Sequence, residues 1–482
     1  MRDDRIWLVL ICSLIATSAY GEVAPDGAVD GGRDMGRGEF GTLQSPRQRP
    51  TAMPSAPSIG EAPRPSAPPA PAVAAQGVPI AGGVLYTGVT AATFYDDNVF
   101  ASHGSRFSDV VFVLRPEFAW ATQGANYTIG SDGFVESRKN VKFDSEDQFN
   151  GGAGVNFTVA PDSDTQVVGN GRYIRAHLER GSSDTIGPGG VLLSTTFNAP
   201  VEYDQGIAAV ALNKRNGRWW GSLGVAGVMV DYANAKTGPF TIDFGYNDGG
   251  IGVANGRVGY VIMPQTSLFV EAAGNIRNWR VDAFDSTGYR LVGGLLFEQG
   301  PGARLRGEAW AGYMGQQYNG ISFQTVSSWT YGATLGFAFT DQLGGVIEGK
   351  REAKEAALSL AAIAPGVAGA SSETCAIPGG ATCVSVIGSS VGGRLEYRIL
   401  PNLIVGGGAS FTVDEYLGER AGNRVDRTLS PMASIKFLPY ERLILGFDYR
   451  RVMFDPSGGQ VTGVSAVSYF RDVYLVSMNG KF

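Results

Sequence analysis

The chain has 482 residues, of which 17% are charged and 69 are glycine, with a formal net charge of −6. That balance argues against a nucleic-acid partner, because phosphate binding requires a basic footprint. No apolar run beyond the N-terminus reaches the roughly 20 residues of a membrane helix, so a membrane-spanning form must cross with strands.

Met1-Arg2-Asp3-Asp4-Arg5 lead into an apolar stretch from Ile6 to Ala19, with small residues near its end at Thr17, Ser18, Ala19 and Gly21. This reads as a secretory signal peptide over 1–21, cleaved after Ala19 or Gly21. Cys12 follows Ile11 rather than a small residue, which argues against a lipoprotein anchor. Residues 22–82 differ in kind. Eleven prolines fall between Pro25 and Pro79, and the run from Pro63 to Pro71 cannot form a helix or a central strand. A disordered Pro/Ala-rich tail is expected there, either a passive spacer or a contact for peptidoglycan or another periplasmic partner.

From 83 to 482 the pattern changes to long segments rich in Gly, Val and aromatics. Their connections alternate in kind. Short turn-like stretches fall at Gln123-Gly124-Ala125, Pro161-Asp162-Ser163, Asn216-Gly217, Pro264-Gln265, Gly300-Pro301-Gly302, Asp341-Gln342, Pro401-Asn402 and Pro439-Tyr440. Pro, Gly, Asn and Asp supply the dihedrals that tight turns demand. Longer polar stretches fall between them, at 97–107, 139–147, 181–200, 233–248, 282–287, 317–326, 358–383, 418–425 and 455–463. Short and long connections in strict alternation imply an all-β, antiparallel, up-and-down transmembrane barrel of about eighteen strands, with about sixteen as the alternative. An even count places both barrel ends on the periplasmic side, with the long loops outside.

The strands alternate in polarity. Leu305, Ala309 and Tyr313 alternate with Arg304, Arg306 and Glu308; Val391, Leu395 and Tyr397 with Arg394, Glu396 and Arg398; Leu445, Phe447 and Tyr449 with Asp448 and Arg450. An arginine near the bilayer midplane costs about 2–4 kcal/mol, so these charged residues are expected to line a wet lumen. Trp120, Trp219, Trp220 and Tyr440 near short turns, and Trp279 and Trp329 near long loops, are expected in interfacial girdles. One stretch fits poorly. Glu348, Lys350, Arg351, Glu352, Lys354 and Glu355 crowd together, and 356–364 has helical propensity, which predicts a strand rising into a loop with a short helix. Without the signal peptide two cysteines remain, Cys375 and Cys383. An even pair in an exported chain suggests a local disulfide, whereas a metal site would need ligands that are not nearby. The two histidines, His103 and His177, lie in no recognisable nucleophile setting, so an enzyme is not expected; no phosphate loop, metal cluster or cofactor motif occurs.

The first strand ends Tyr95-Asp96-Asp97-Asn98-Val99-Phe100. This stretch, opening a barrel behind a signal and a polar linker, resembles the family of outer-membrane β-barrel porins encoded with exopolysaccharide biosynthesis genes. The resemblance implies a porin-like conduit exporting polysaccharide, with periplasmic export components as partners. The alternatives are a diffusion porin for small solutes and a structural or adhesive barrel. Asp96, Asp97 and Asn98 either cap a loop through their own backbone or offer oxygens to Ca²⁺. The chain ends on Phe482, in a strand where Tyr474, Val476, Met478 and Gly480 share a face. This is similar to the C-terminal signature through which outer-membrane barrels recruit the assembly machinery. Outer-membrane lipid and lipopolysaccharide are then the surroundings, and deleting Phe482 is expected to lower the amount of heat-modifiable barrel in the outer membrane. That expectation fails if the deletion leaves the amount unchanged.

Overall fold

A computed structural model describes residues 77–178, 180, 198–242, 245, 248–280, 282–297, 304–320, 325–357, 384–417, 424–440, 442–457 and 468–481. The expected signal peptide, most of the expected tail, Gly300-Pro301-Gly302, Cys375, Cys383 and Phe482 lie outside the described residues.

The strands in chain order begin with β1 (Val78–Ile80), β2 (Gly83–Asp96), β3 (Asp109–Gln123), β4 (Tyr127–Asn140), β5 (Gln148–Asp162), β6 (Thr165–His177) and β7 (Glu202–Asn216). They continue with β8 (Trp219–Tyr232), β9 (Ala235–Thr237), β10 (Phe240–Ile242), β11 (Gly249–Met263), β12 (Thr266–Trp279), β13 (Ser286–Phe297) and β14 (Leu305–Tyr318). The last are β15 (Val326–Ala338), β16 (Leu343–Ala357), β17 (Val384–Leu400), β18 (Leu403–Leu417), β19 (Val425–Tyr440), β20 (Leu443–Ser457) and β21 (Tyr469–Lys481). Each long strand pairs antiparallel with its neighbour in sequence, and β11 pairs with β8 across the β9–β10 hairpin. β21 pairs with β2, from Gly88↔Lys481 to Asp96↔Val473, which closes an 18-stranded barrel. The described residues contain no α-helix; 3-10 turns lie at Asp144–Glu146 and Asp282–Phe284.

Closure settles which side each residue faces. Only the concave side of a single closed sheet can bury a side chain, and outward residues meet lipid, which must not receive unpaired polar groups. In β12 the exposed positions include Leu268, Val270 and Ile276, while Phe269, Glu271, Ala273, Asn275, Arg277 and Trp279 alternate with them and are buried. The same period holds in β21, where Tyr474, Val476 and Met478 face out and Leu475 and Ser477 face in. Leu475 breaks the polar pattern of the inner face because it sits in an apolar patch with Ala92, Val111 and Val113.

Three features differ from the sequence expectation. Val78–Ile80 belongs by composition to the tail, yet it forms a hairpin with β2 through a turn with Ala81 and Gly82 at φ 51° and 76°. Two consecutive positive φ angles are what a two-residue hairpin requires. The Trp120 indole N–H donates to Ile80 O at 3.0 Å, and Pro79 is tolerated because β1 is an edge. Second, Ala356 and Ala357 remain in β16 rather than starting a helix, and 358–364 lie outside the described residues. Third, Trp220 and Trp279 are not girdle residues. Both are buried on the inner face, while Trp219 and Trp329 are exposed. Trp219 and Trp220 are adjacent in one strand, so the pleat sends one out and the other in.

Candidate functional site

The inner wall carries an apolar cluster that includes Ile174, Val230, Val253, Trp279 and Met314, and polar stretches in which many charges are paired. In the wall formed by β11 to β14, Arg257 lies opposite Glu271 in the ladder. Its Nε donates to Glu271 Oε2 at 2.8 Å, and its Nη1 reaches past two strands to Glu308 Oε2 at 2.7 Å. Arg290 Nη2 donates to the other Glu271 oxygen at 2.5 Å. Glu271 is 1% exposed and is shared by two guanidinium groups. Each arginine also lies over a ring, Arg257 at 4.2 Å from Phe269 and Arg290 at 4.7 Å from Trp310. Cation–π contact and bidentate hydrogen bonding both suit the planar guanidinium.

A second cluster occupies β3 to β6. Arg138 Nε donates to Glu136 Oε1 at 2.7 Å, and Asn150 Nδ2 donates to the same oxygen at 3.1 Å. Arg115 lies 3.6 Å from the other Glu136 oxygen and 3.9 Å above the Phe134 ring. His177 closes this cluster, with Nδ1 2.9 Å from Asn150 Oδ1 and Nε2 3.9 Å from Glu202. The remaining histidine, His103, contacts the Ser468 carbonyl.

The lumen residues expected from sequence are distributed as follows. Glu308 joins the first cluster. Arg394 pairs with Glu396 at 2.8 Å, and Lys436 Nζ approaches the same carboxylate at 3.8 Å. Asp448 is buried on the inner face, opposite Ser434 in the ladder. Arg306, Arg398 and Arg450 share the inward parity of their strands. Arg304 is exposed at the turn-end rim, where it approaches the Phe339 carbonyl at 3.5 Å. Sequence reasoning did not single out Arg257, Glu271, Arg290, Arg115, Glu136, Arg138 or Lys436.

At the loop end, aromatic and charged groups knit neighbouring loops together. Phe100, Phe107 and Phe143 form a triad with ring centroids 5.0–6.1 Å apart. Beside it Arg180 Nη2 donates to Glu146 at 2.6 Å, with both side chains buried. Burial pushes the Asp147 carboxyl up, but hydrogen bonds from Lys139 and the Asn140 N–H hold it below the usual carboxylate range.

Asp96, Asp97 and Asn98 fasten the first strand to the last. On the inner side, Asp96 accepts from Arg471 Nε at 2.7 Å and from the Asn98 N–H at 3.0 Å. Asn98 Nδ2 donates to the carbonyls of Ser102 and Phe470, both at 2.9 Å, and its Oδ1 accepts the Ser102 N–H at 3.0 Å. On the outer side, Asp97 accepts the Asp472 N–H at 2.7 Å and pairs with Arg106 at 2.8 Å. The Phe470 ring lies between the guanidiniums of Arg106, at 3.1 Å, and Arg451, at 4.9 Å. The loop-capping reading describes the local bonds of Asp96 and Asn98, whereas Asp97 bonds the last strand at Asp472 and the Arg106 side chain. Their side-chain oxygens face donors of this chain rather than converging on a cation site, and the described residues hold no cluster of metal-ligating side chains.

On the outer face of the seam, Tyr95, Tyr474 and Tyr449 form a row across three strands, with centroids 6.4 and 5.1 Å apart. The polar ends of such rings suit the lipid–water boundary.

Among solved structures, the chain is similar to the outer-membrane channel DcaP of Acinetobacter baumannii at 13% identity and a TM-score of 0.42, covering 84% of this chain and 99% of that one. It is also similar to OpdL of Pseudomonas aeruginosa at 14% identity and a TM-score of 0.39, covering 84% of this chain and 100% of that one. No curated protein matches the sequence. The model of the family described as "Putative beta-barrel porin 2" matches residues 70–359. With that match over more than half its length, and with a closed barrel whose apolar side faces outward, the chain belongs to this porin-like outer-membrane family.

Proposed function

We propose that the barrel is a conduit that exports exopolysaccharide across the outer membrane. The observation that carries this reading is the inner wall, where charged side chains are neutralised in pairs and interspersed with amides and hydroxyls. Where it is polar, such a wall presents hydrogen-bonding groups without a dominant single-sign field. A hydrated polymer can exchange its water contacts for these groups, whereas an apolar wall would oppose it. In this reading the short turns and both ends of the barrel face the periplasm, the polymer enters there, and the driving force comes from the inner-membrane side.

Deletion of the protein is expected to abolish surface polysaccharide, and the purified barrel is expected to conduct ions in a planar bilayer. Unchanged polysaccharide together with an absence of conductance would overturn the proposal. Large conductance with no polymer phenotype would instead identify a diffusion porin for small solutes. Zero conductance with a surface-binding defect would identify a structural or adhesive barrel.

A further inference from the structure

Charged residues also stand on the outer face at the loop end, and two of the cations there are closed on carboxylates. Arg175, beside the exposed Tyr173, gives Nε and Nη2 to Asp204 at 2.8 and 2.7 Å. Arg351, opposite the exposed Tyr331, gives Nη1 and Nη2 to Glu415, both at 3.0 Å. Such forked pairs leave few donors for a ligand. The seam differs. Arg106 engages Asp97 through Nη1 alone, and Arg451 Nε stands 3.8 Å from Asp472, beyond hydrogen-bonding distance. The two carboxylates are occupied by other donors as well, Asp97 by the Asp472 N–H and Asp472 by the Tyr449 hydroxyl at 2.8 Å. Among the described residues, Phe470 is the one ring with two guanidiniums against it. The side chains of Arg106 and Arg451 are 30% and 37% exposed and Phe470 is 40% exposed, against 18% and 14% for Asp97 and Asp472. The four charges cancel, but the surface turned outward is cationic and aromatic.

Height on the wall decides what this surface meets. Phe470, Asp472 and Tyr474 follow one another on the outer face of β21, and Val476 and Met478 continue that face as exposed apolar positions. Arg451 lies opposite Asp472, and Tyr449 opposite Tyr474. Arg451 and Phe470 therefore stand two and four residues loopward of the tyrosine row, roughly 7 and 13 Å along the strand. That is the depth of lipid headgroups, above the acyl chains. A free phosphate would meet the guanidiniums but gain nothing from the ring or the apolar face below. A phosphorylated lipid uses both, with oxygens for the N–H groups that the carboxylates leave unmet and chains that run down over Val476 and Met478.

We propose that Arg106, Phe470 and Arg451 form a site for the phosphorylated headgroup of lipid A on the outside of the barrel seam. Arg106 lies in the connection after β2 and Arg451 in β20, with β21 between them, so a bound headgroup ties the first strand's loop to the last two strands. The choice of the outer-leaflet lipid rests on the conduit reading, which puts the loop end outside. The phosphate chemistry rests on the side chains alone.

The test uses the purified full-length protein in an uncharged detergent. Binding and the temperature at which the compact form opens on semi-native gels are measured with bisphosphorylated lipid A, dephosphorylated lipid A, phosphatidylglycerol and inorganic phosphate. Bisphosphorylated lipid A is expected to bind and to raise the opening temperature, and the other three to bind much more weakly. Arg106→Gln and Arg451→Gln are each expected to weaken lipid A binding roughly tenfold. Each variant is compared with itself without lipid, so a loss of seam stability alone is not counted. Arg175→Gln should bind lipid A as the wild type does. Failure of the wild type to bind lipid A, equal binding of the dephosphorylated form or of inorganic phosphate, or unchanged affinity in both seam variants overturns the proposal. Phosphatidylglycerol binding as tightly as lipid A would overturn the assignment to the outer leaflet. Selective lipid A binding by a barrel that does not conduct would support the site and overturn the conduit reading.

Discussion

Replacing Asp96 by Ala is expected to open the barrel at its seam. Asp96 is 1% exposed and accepts both the Arg471 guanidinium and the Asn98 N–H. Removing the carboxylate leaves a guanidinium at the inner face and an uncapped turn. Breaking a buried pair by deleting one partner costs about 3–5 kcal/mol. The variant should therefore lose its compact form on semi-native gels at a markedly lower temperature than the wild type. Asp96→Asn should fall between the two, because an amide oxygen can still accept the Asn98 N–H but carries no charge. Asp97→Ala should be milder. Its partner Arg106 has a side chain 30% exposed, and exposed pairs contribute about 0–1 kcal/mol. An Asp96→Ala barrel that melts with the wild type, or an Asp97→Ala barrel that melts below Asp96→Ala, would refute this account of the seam.

The second large effect is expected at Glu271. It is the only acceptor that Arg257 and Arg290 are both seen to share among the described residues. Glu271→Gln keeps the size and removes the charge that offsets two buried guanidiniums. Stability should fall by several kcal/mol, on the order of the 3–5 kcal/mol for a broken buried pair. The lumen should also become more positive at this level, so the reversal potential under a salt gradient should move toward anion selectivity. Glu308→Gln should shift it less. Glu308 is 18% exposed, so solvent screens it more, and Arg257 retains Glu271 when it is lost. An unchanged reversal potential in a folded Glu271→Gln barrel would show that the ladder does not face the conducting path.

Much of the fold was legible because its two signals are local. Turns such as Pro401-Asn402 and Asn216-Gly217 need residues of particular backbone freedom, and lipid-facing positions must be apolar wherever a strand crosses. Long loops are polar for the opposite reason. The alternation therefore gave the number and order of the strands, and the period gave the faces of β14, β17 and β20. Arg257, Glu271 and Arg290 were harder to see. The outward positions beside them include Gly252, Gly256, Ala272 and Gly274, which present little apolar contrast. Which strands neighbour each other was legible, including the last beside the first, but which side chains pair was not, since a register slip of two residues keeps every face the same. Trp220 and Trp279 misled because nearness to a strand end says nothing about the side of the sheet. The Asp96-Asp97-Asn98 motif was legible as a turn, but its partners Arg471 and Asp472 lie at the other end of the chain.

That distance bears on the order of assembly. Adjacent strands are joined by connections as short as the two residues between Leu400 and Leu403, so each hairpin can form from local contacts. Asp96 and Arg471 are 375 residues apart. Closing so long a loop before the intervening strands are in place meets an entropic cost with little compensating contact, whereas after they have zipped together the two edges already lie side by side. The clasp is then the last contact to form and the first to break. Its strength governs how long a finished barrel stays shut rather than how quickly its hairpins appear, and changes at Asp96 or Arg471 act on the opening rate.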